Sequence, residues 1–471
     1  MTTSRSPARK SKFTSGPLMP HVARLSLTSS LGIMAIYVVD LCDIFFVSLL
    51  GENQMAAAAG FASTVMFFVS AMNVGVSMAA ATLVSMATGA GDEDRARKIA
   101  FGASVVAVVV AVSMSALLLW RIEGILAFIG AEGAVAVMAK SYLWIVLPAS
   151  FLSGISMVAV AALRTDNQAR WAMYPSLVGA ATNLALDPLF IFGLGFGLEG
   201  AAMATVAARV ATLSVALYAS ARLCGLFARP TQREFLSYMP PLARFALPAV
   251  VSSMAAPFGM AVITRYMADY GPGAVAGMAV VGRLYPVVFS IVNALSSAVG
   301  PIVGQNFGAG LRGRVIEAYV ASLKFLAFYV VVVTLLLFLF RGQIADAFRL
   351  EGLARDLVFL FCGPLSVIAF FNGTVLVSNT TLANIGYPRI PVWMQWGRST
   401  LGITPFVALG TQFYGAEGVF LGATMGGGVF AALAALIVLR QVRRLDMGAA
   451  DVPDVVAVKP SVPRLQTGWE S

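Results

Sequence analysis

Three aspartates interrupt long apolar stretches of this chain, and an asparagine precedes one of them by a single helical turn. The aspartates are Asp40, Asp43 and Asp187, and Asn183 lies four residues before Asp187. Residues three or four apart share one face of a helix, so Asp40 lies with Asp43 and Asn183 with Asp187. Buried carboxyl groups that approach each other exchange protons as a coupled pair, and carboxylate with amide oxygens also suits a hard cation such as Na+. The residue types therefore predict a proton site, or alternatively a sodium site, at Asp43, Asn183 and Asp187.

Two of these carboxyl groups lie at matching depth if the stretches around them are helical. Asp43 follows Arg24 by 19 residues and Asp187 follows Arg170 by 17, which corresponds to about 28 Å and about 26 Å of helix rise. An aspartate at mid-membrane costs roughly 2.5 to 3.5 kcal/mol unless a partner or a water-filled cavity compensates it. We therefore expect Asp43 and Asp187 to meet across a polar pocket. The alternative, that these groups only hydrogen-bond between helices or lie near the outer interface, applies to Asp40 in particular.

The elements that must position these residues are transmembrane helices. Of the 471 residues 59% are apolar and 11% are charged, and the mean hydropathy is +0.84, whereas soluble domains average about 25% charged residues. Apolar stretches long enough for a hydrocarbon core of about 30 Å recur along the chain. They lie near residues 25–50, 54–88, 97–120, 136–163, 170–193, 198–223, 242–269, 274–306, 314–340, 354–382, 390–411 and 417–440. The predicted fold class is an all-α polytopic membrane protein with about twelve transmembrane helices.

The residue inventory excludes several kinds of enzyme and binding protein. His21 is the only histidine, and Cys42, Cys224 and Cys362 lie far apart, so zinc motifs and histidine-based triads are absent. No lysine follows a glycine, which excludes a phosphate-binding P-loop, and no GxSxG nucleophile motif occurs. The net charge of +10 is distributed between apolar stretches instead of forming one nucleic-acid-binding stripe. We predict no enzyme activity, no cofactor or resident metal, and no nucleotide or nucleic-acid partner.

The basic residues instead indicate topology. Cations precede the first span and recur in alternate connections, for example at Arg95, Arg97 and Lys98, so these connections and both termini are expected in the cytoplasm of a cell inner membrane. Residues 1–16 and 446–471 have the composition of disordered tails. The predicted organisation is a cytoplasmic arm (1–23), a first lobe of six helices (24–223), a cytoplasmic linker (224–241), a second lobe of six helices (242–441) and a disordered tail (442–471).

The second lobe repeats the first. Gly89-Ala-Gly91 with Arg95 recurs 219 residues later as Gly308-Ala-Gly310 with Arg314, and further pairs keep this offset: Arg170 with Arg389, and Ala204-Thr205 with Ala423-Thr424. An even number of spans in each copy relates the lobes by an axis along the membrane normal and places a central cleft between them. Rocking of two similar lobes about such a cleft is the mechanism that this architecture most readily supports.

The charged residues do not follow the repeat. Ile263 and Phe406 occupy the second-lobe positions that correspond to Asp43 and Asp187, while Arg265, Arg283 and Arg398 lie within second-lobe spans. These arginines either neutralise an anionic substrate or pair with carbonyl groups and extend to the interface. We expect Arg283 to point into the protein or the cleft, because a lipid-facing arginine would carry the insertion cost.

Several segments together resemble the multidrug and toxic compound extrusion (MATE) family over residues 24 to 440. Asn183-Leu-Ala-Leu-Asp187-Pro188 followed by Gly200-Ala-Ala-Met-Ala-Thr205 is similar to its fifth and sixth helices, and Asp43-Ile-Phe-Phe-Val to the end of its first helix. Gly300-Pro-Ile-Val-Gly-Gln-Asn306 resembles its eighth-helix signature, and Gly282-Arg283 also fits there. The resemblance implies cation-coupled export, with Asp43, Asn183, Asp187 and Thr205 as first-lobe coupling residues.

Departures from the family pattern narrow this expectation. Thr28 stands where the family often has a helix-bending proline, Ile44 replaces the usual threonine, and the seventh helix lacks the glutamate of the sodium-coupled branch. We therefore favour the bacterial proton-coupled, DNA-damage-inducible-type branch and an antiporter that exports organic cations or amphipathic drugs, with sodium coupling as the alternative. The alternative functions are a flippase for a lipid-linked precursor and an exporter of an organic anion. The expected partners are small amphipathic substrates and the lipid bilayer.

Overall fold

A computed structural model describes residues 13–49 and 53–446, and all regular secondary structure in these ranges is helical. The helices are α1 (Leu18–Leu49), α2 (Asn53–Gly89), α3 (Glu93–Trp120), α4 (Ile122–Phe128), α5 (Gly133–Val146), α6 (Ser150–Thr165), α7 (Ala169–Pro188), α8 (Gly197–Leu217), α9 (Gln232–Ser253), α10 (Ala255–Ala268), α11 (Pro272–Val288), α12 (Ser290–Gly308), α13 (Arg312–Ala347), α14 (Gly352–Phe361), α15 (Ile368–Asn384), α16 (Ile390–Thr400) and α17 (Thr404–Asp446). Short π-helical turns extend α7 (Leu189–Gly193) and α8 (Tyr218–Leu223), and a 3-10 turn (Pro364–Val367) precedes α15.

These helices combine into the expected number of spans. Within the described ranges nine helical stretches are long and apolar enough to cross a membrane, and two further spans are the bent pairs α5 with α6 and α11 with α12, which turn by 50° and 42°. The last stretch divides again at Gly415, whose φ of 55° is not helical. Pro148 lies in the first bend and Pro286 precedes the second, and proline removes a helical hydrogen bond and clashes with the preceding turn. The twelve-helix prediction is confirmed.

The two lobes, α1 to α8 and α9 to α17, pack tightly against each other at one end. A side-chain carbon on Gly89 would collide with the backbone of Gln305, and one on Gly308 would collide with the backbone of Met86. Gly89 and Gly308 occupy equivalent positions in the repeat, so each copy contributes one glycine to the same close approach of α2 and α12. Only glycine permits two backbones to come this near.

Polar contacts seal the same end. Ser85 Oγ donates to Asn384 Oδ1 at 3.3 Å, and Gln305 Nε2 donates to the carbonyl oxygen of Thr165 at 2.6 Å. One hydrophobic core runs through both lobes here. Two further cores each belong to a single lobe: one includes Ala58 and Leu198, and the other includes Ile263 and Ala423. The lobes are therefore closed against each other at the end where Gly89 of α2 meets Gly308 of α12.

The segment before α1 belongs to this seal, which corrects one prediction. Residues 13–16 were assigned to a disordered tail, but Phe13 is fully buried. Its backbone N–H donates to Gln305 Oε1 at 3.2 Å and its carbonyl accepts from Asn306 Nδ2 at 3.1 Å. A single aromatic residue among polar neighbours produces no periodic signal, so only its tertiary contacts reveal its burial. Residues 442–446, also predicted to belong to a disordered tail, instead continue α17 to Asp446. Residues 1–12 and 447–471 lie outside the described ranges.

Candidate functional site

The predicted carboxyl groups meet where α1 packs against α7. Asn183 lies between them, and its Nδ2 donates to Asp43 Oδ1 at 2.8 Å and to Asp187 Oδ2 at 2.9 Å. Asp187 is 1% exposed and Asn183 is 4% exposed, whereas Asp43 is partly buried. One amide nitrogen thus joins two carboxyl groups from different helices. The three residues involved, Asp43, Asn183 and Asp187, are those for which the sequence predicted a shared ion site.

The two carboxyl groups also contact each other. Asp43 and Asp187 lie close enough to interact electrostatically, and both accept from the same Asn183 Nδ2. A carboxylate has no proton to donate, so a direct hydrogen bond between the two requires one of them to be protonated. The pair is therefore suited to share one proton.

Two acceptor atoms at this site have no partner within the described structure. Asp187 Oδ1 and Asn183 Oδ1 are buried and accept no hydrogen bond. Leaving a buried acceptor unpaired costs about 1–3 kcal/mol. These oxygens are therefore available to accept a hydrogen bond from a ligand or to coordinate a cation.

The local fold around Asp187 departs from a regular α-helix. Pro188 follows the aspartate, and α7 continues into the π-helical turn Leu189–Gly193, in which Leu194 N–H bonds to Leu189 O at 2.8 Å. Single π-turns occur frequently at functional sites because they redirect side chains. Gly200 at the start of α8 makes room for this turn, since a side chain there would strike the Phe190 backbone.

Tyr142 and Arg209, which the sequence analysis did not select, lie beside this site next to the predicted residue Thr205. Thr205 Oγ1 donates to the Ala201 carbonyl at 3.0 Å. Tyr142 lies beside Thr205, within electrostatic range of both aspartates. Arg209 lies one turn beyond Thr205, and its Nη1 donates to the Val146 carbonyl at 2.8 Å. The four-residue spacing of Thr205 and Arg209 could have indicated the arginine. Nothing in the sequence distinguishes Tyr142 from an interfacial tyrosine.

Of the other first-helix residues considered in the sequence analysis, the structure describes the side chain of Thr28 but not that of Asp40. The Asp40 side chain lies outside the described part of the structure, so its predicted contribution stays a prediction. Thr28 Oγ1 bonds to the Arg24 carbonyl at 2.7 Å, and α1 runs without interruption from Leu18–Leu49.

The three second-lobe arginines have different surroundings. Arg265 forms an exposed ion pair with Asp269 at 2.6 Å. Arg283 is exposed, and its predicted direction toward protein or cleft stays a prediction. Arg398 is partly buried and donates from Nη1 to Asn372 Oδ1 at 2.8 Å.

The residue types that commonly ligate metals do not cluster in the described ranges. No group of three or more His, Cys, Asp or Glu side chains comes together there. The two carboxyl groups and the amide of the first lobe are therefore the residues that a sodium ion would have to use.

The family model MatE matches this chain twice, over residues 29–189 and 248–405. The two matches begin 219 residues apart, which is the offset of the internal repeat. Together they cover most of the membrane-spanning part of both lobes, so the duplication inferred from short segments extends over residues 29–189 and 248–405.

Two of the curated relatives carry transporter names. The chain is 29% identical over 421 residues to a FAD transporter of Shewanella oneidensis, covering 86% of this chain and 91% of that protein. It is 29% identical over 348 residues to the probable multidrug resistance protein NorM of Rhizobium meliloti, covering 70% and 72% of the two chains.

Solved structures share the fold at low identity. A MOP superfamily transporter from Pyrococcus furiosus superposes with a TM-score of 0.86 at 21% identity, covering 94% of this chain and all of that one. The bent form of the Vibrio cholerae MATE transporter VcmN gives 0.85 at 21% identity, covering 91% and 98%. With the MatE model matched in both lobes, the chain belongs to the MATE family of multidrug efflux transporters and is a membrane-embedded transporter.

Proposed function

We propose that this protein is a proton-coupled antiporter that exports amphipathic small molecules across a cell inner membrane by alternating access. The observation that carries this proposal is the shared amide bridge of Asn183 between Asp43 and Asp187. A site that holds one proton between two carboxyl groups has a neutralised state and a charged state of similar shape. Such a pair is suited to exchange a proton for a cationic or polar substrate group.

The coupling step follows from the charges at the site. Protonation removes the repulsion between Asp43 and Asp187 and lets α1 pack against α7. Loss of the proton leaves two negative charges, which favours opening of the pocket to water or to an incoming cation. Asp187 Oδ1 and Asn183 Oδ1, the acceptors without partners, are the atoms available to that ligand.

The conformation supports one step of the cycle. The lobes meet at the end where the cationic connections lie, for example near Lys98, whose Nζ pairs with Glu234 at 2.8 Å. If cationic connections face the cytoplasm, this end is cytoplasmic and the cleft opens outward. We infer an outward-open state, in which substrate leaves and a proton enters.

The orientation can be tested with two cysteines. In a chain whose three native cysteines are replaced by alanine, Asp94→Cys introduces a thiol at the start of α3, and Phe128→Cys introduces one beyond its other end, where the side chain is 91% exposed. We expect a membrane-impermeant maleimide to label Phe128→Cys in intact spheroplasts. Asp94→Cys should react only after permeabilisation, and labelling of Asp94→Cys in intact spheroplasts would refute the proposed topology.

The coupling ion can be tested with purified protein in proteoliposomes. We expect an imposed pH gradient to drive ethidium transport at least about tenfold faster than in protein-free liposomes, because the site exchanges a proton for the cation. A protonophore should remove this transport, and a sodium gradient at constant pH should not replace the pH gradient. Equal transport under a sodium gradient alone would establish sodium coupling, and no transport under either gradient would reject antiport.

Export of an organic anion is the second candidate function. Arg398 lies within the second lobe, and no carboxylate of the described residues pairs with it. One relative, with similarity across 86% of this chain, is named as a FAD transporter. Flavin adenine dinucleotide is an aromatic anion, and this likeness supports an anionic substrate in addition to cations.

A further inference from the structure

A chain of hydrogen bonds fixes the Arg398 side chain inside the second lobe. Arg398 Nη1 on α16 donates to Asn372 Oδ1 on α15 at 2.8 Å, and Asn372 Nδ2 donates to the Tyr285 hydroxyl on α11 at 2.7 Å. The guanidinium can only donate, so the amide oxygen of Asn372 must face it, and the amide nitrogen is left to donate to the tyrosine hydroxyl. Three helices therefore hold one cation in place.

This cation lacks an anionic partner within residues 13–49 and 53–446. Arg265 and Arg355, in contrast, form ion pairs with Asp269 and Asp346. Arg398 Nε is buried and donates no hydrogen bond. Burying a charged donor without a partner is costly unless a ligand supplies the missing acceptor. The planar guanidinium, with several N–H groups in a fixed fork, matches the oxygens of a phosphate.

The internal repeat relates Arg398 to the helix of the first lobe that carries the proposed proton site. Arg398 corresponds to Gly179 at the offset of 219, and Gly179 lies one turn before Asn183 on α7. The helix face that presents Asn183 and Asp187 in the first lobe thus presents Arg398 in the second. Tyr285 lies near Tyr37 of α1, to whose hydroxyl Asn293 Nδ2 of the second lobe donates at 3.4 Å. The arginine cluster therefore reaches the boundary between the lobes.

Further unpaired polar atoms occupy the same helix faces. Gln395 Oε1 lies three residues before Arg398 on α16, and both amide atoms of Asn379 lie two turns after Asn372 on α15. Aromatic rings adjoin the cluster, since Tyr285 lies 5.3 Å from Phe289 and 6.4 Å from Phe361 between ring centroids. Unsatisfied donors and acceptors beside aromatic rings suit a ligand with both a charged group and a planar ring.

We propose that Arg398, Asn372 and Tyr285 form a second-lobe subsite that binds the phosphate group of an aromatic organic anion. The inference rests on the proposed efflux function and adds a substrate class to it. The two lobes then carry opposite charges at equivalent faces: the first lobe exchanges the proton, and the second holds the anionic part of the substrate.

Equilibrium dialysis of purified protein against FAD and riboflavin tests the subsite, because the two ligands share the flavin ring and only FAD carries phosphates. We expect wild-type protein to bind FAD at least about tenfold more tightly than riboflavin. Arg398→Gln removes the charge, and Asn372→Asp places a carboxylate against the guanidinium, so each should reduce the preference for FAD to about onefold. Arg265→Gln is the control, since Arg265 already has a partner, and should keep the wild-type preference.

Two variants with opposite chemistry separate binding from misfolding. Arg398→Gln deletes the cation while Asn372→Asp keeps and neutralises it, and size-exclusion profiles with thermal melting check that each folds. A wild-type protein without preference for FAD, or an unchanged preference in both folded variants, would overturn the subsite. Ethidium export by wild-type protein under a pH gradient is scored separately, so failure of the subsite and failure of antiport are distinguishable.

Discussion

Asp187→Asn should abolish gradient-driven export and leave substrate binding in place. The asparagine keeps the size of the side chain, and its carbonyl oxygen can still accept the Asn183 Nδ2 hydrogen bond that Asp187 Oδ2 accepts at 2.9 Å. It carries no proton to exchange, so position 187 stays neutral and the pair of carboxyl groups proposed to share the proton is lost. We expect transport of ethidium in proteoliposomes to fall to the protein-free background, while ethidium affinity changes by less than about threefold.

The control for this result is Asp269→Asn. Asp269 forms an exposed ion pair with Arg265, and such pairs contribute little to stability, so this variant should transport like wild type. Asp40→Asn should reduce transport less than Asp187→Asn. Wild-type export by Asp187→Asn under both a pH gradient and a sodium gradient would show that this site does not couple transport.

Gly308→Ala should prevent the lobes from closing at the sealed end. The added methyl group meets the Met86 backbone, and backbone cannot move aside as the end of a flexible side chain can. Overpacking of this kind costs about 1–3 kcal/mol, which shifts a two-state equilibrium by about fivefold to about 150-fold. We expect ethidium transport to fall at least about fivefold, because the proposed outward-open state depends on this contact.

Thiol labelling distinguishes a failure to close from a failure to fold. Ser85 is fully buried at this contact, so Ser85→Cys in a chain without native cysteines should resist a cytoplasmic maleimide. Gly308→Ala should make that cysteine reactive. Gly60→Ala is the matched control, because its methyl group meets no atom within 4 Å. Normal transport by Gly308→Ala with a protected Ser85→Cys would contradict a role for this closure.

The number of spans and the two-lobe plan follow from the sequence alone. Inside a bilayer every backbone polar group must be satisfied within the span, so a long apolar stretch has few structures available other than a helix. The offset of 219 residues then relates the halves without any coordinates. Local spacing also places Asn183 and Asp187 on one face, because the helical period decides it.

Tertiary structure decided which of the polar residues meet. A depth along a helix does not specify its rotation, so Asp43 could face Asp187, lipid or another helix until α1 packed against α7. The same holds for Arg398, which the sequence grouped with Arg265 and Arg283. Arg398 is held by Asn372 and has no carboxylate partner among the described residues, whereas Arg265 pairs with Asp269.

The sequence also did not predict that the segment before α1 takes part in the contact between the lobes. Phe13 is buried by contacts with residues about 290 positions away, and no local pattern reports a contact at that separation. Composition and period determine which helices form and which residues they carry. The rotation of each helix and the partners across the cleft depend on packing between distant segments, and packing determines whether a charged group inside the membrane is paired or free to bind a ligand.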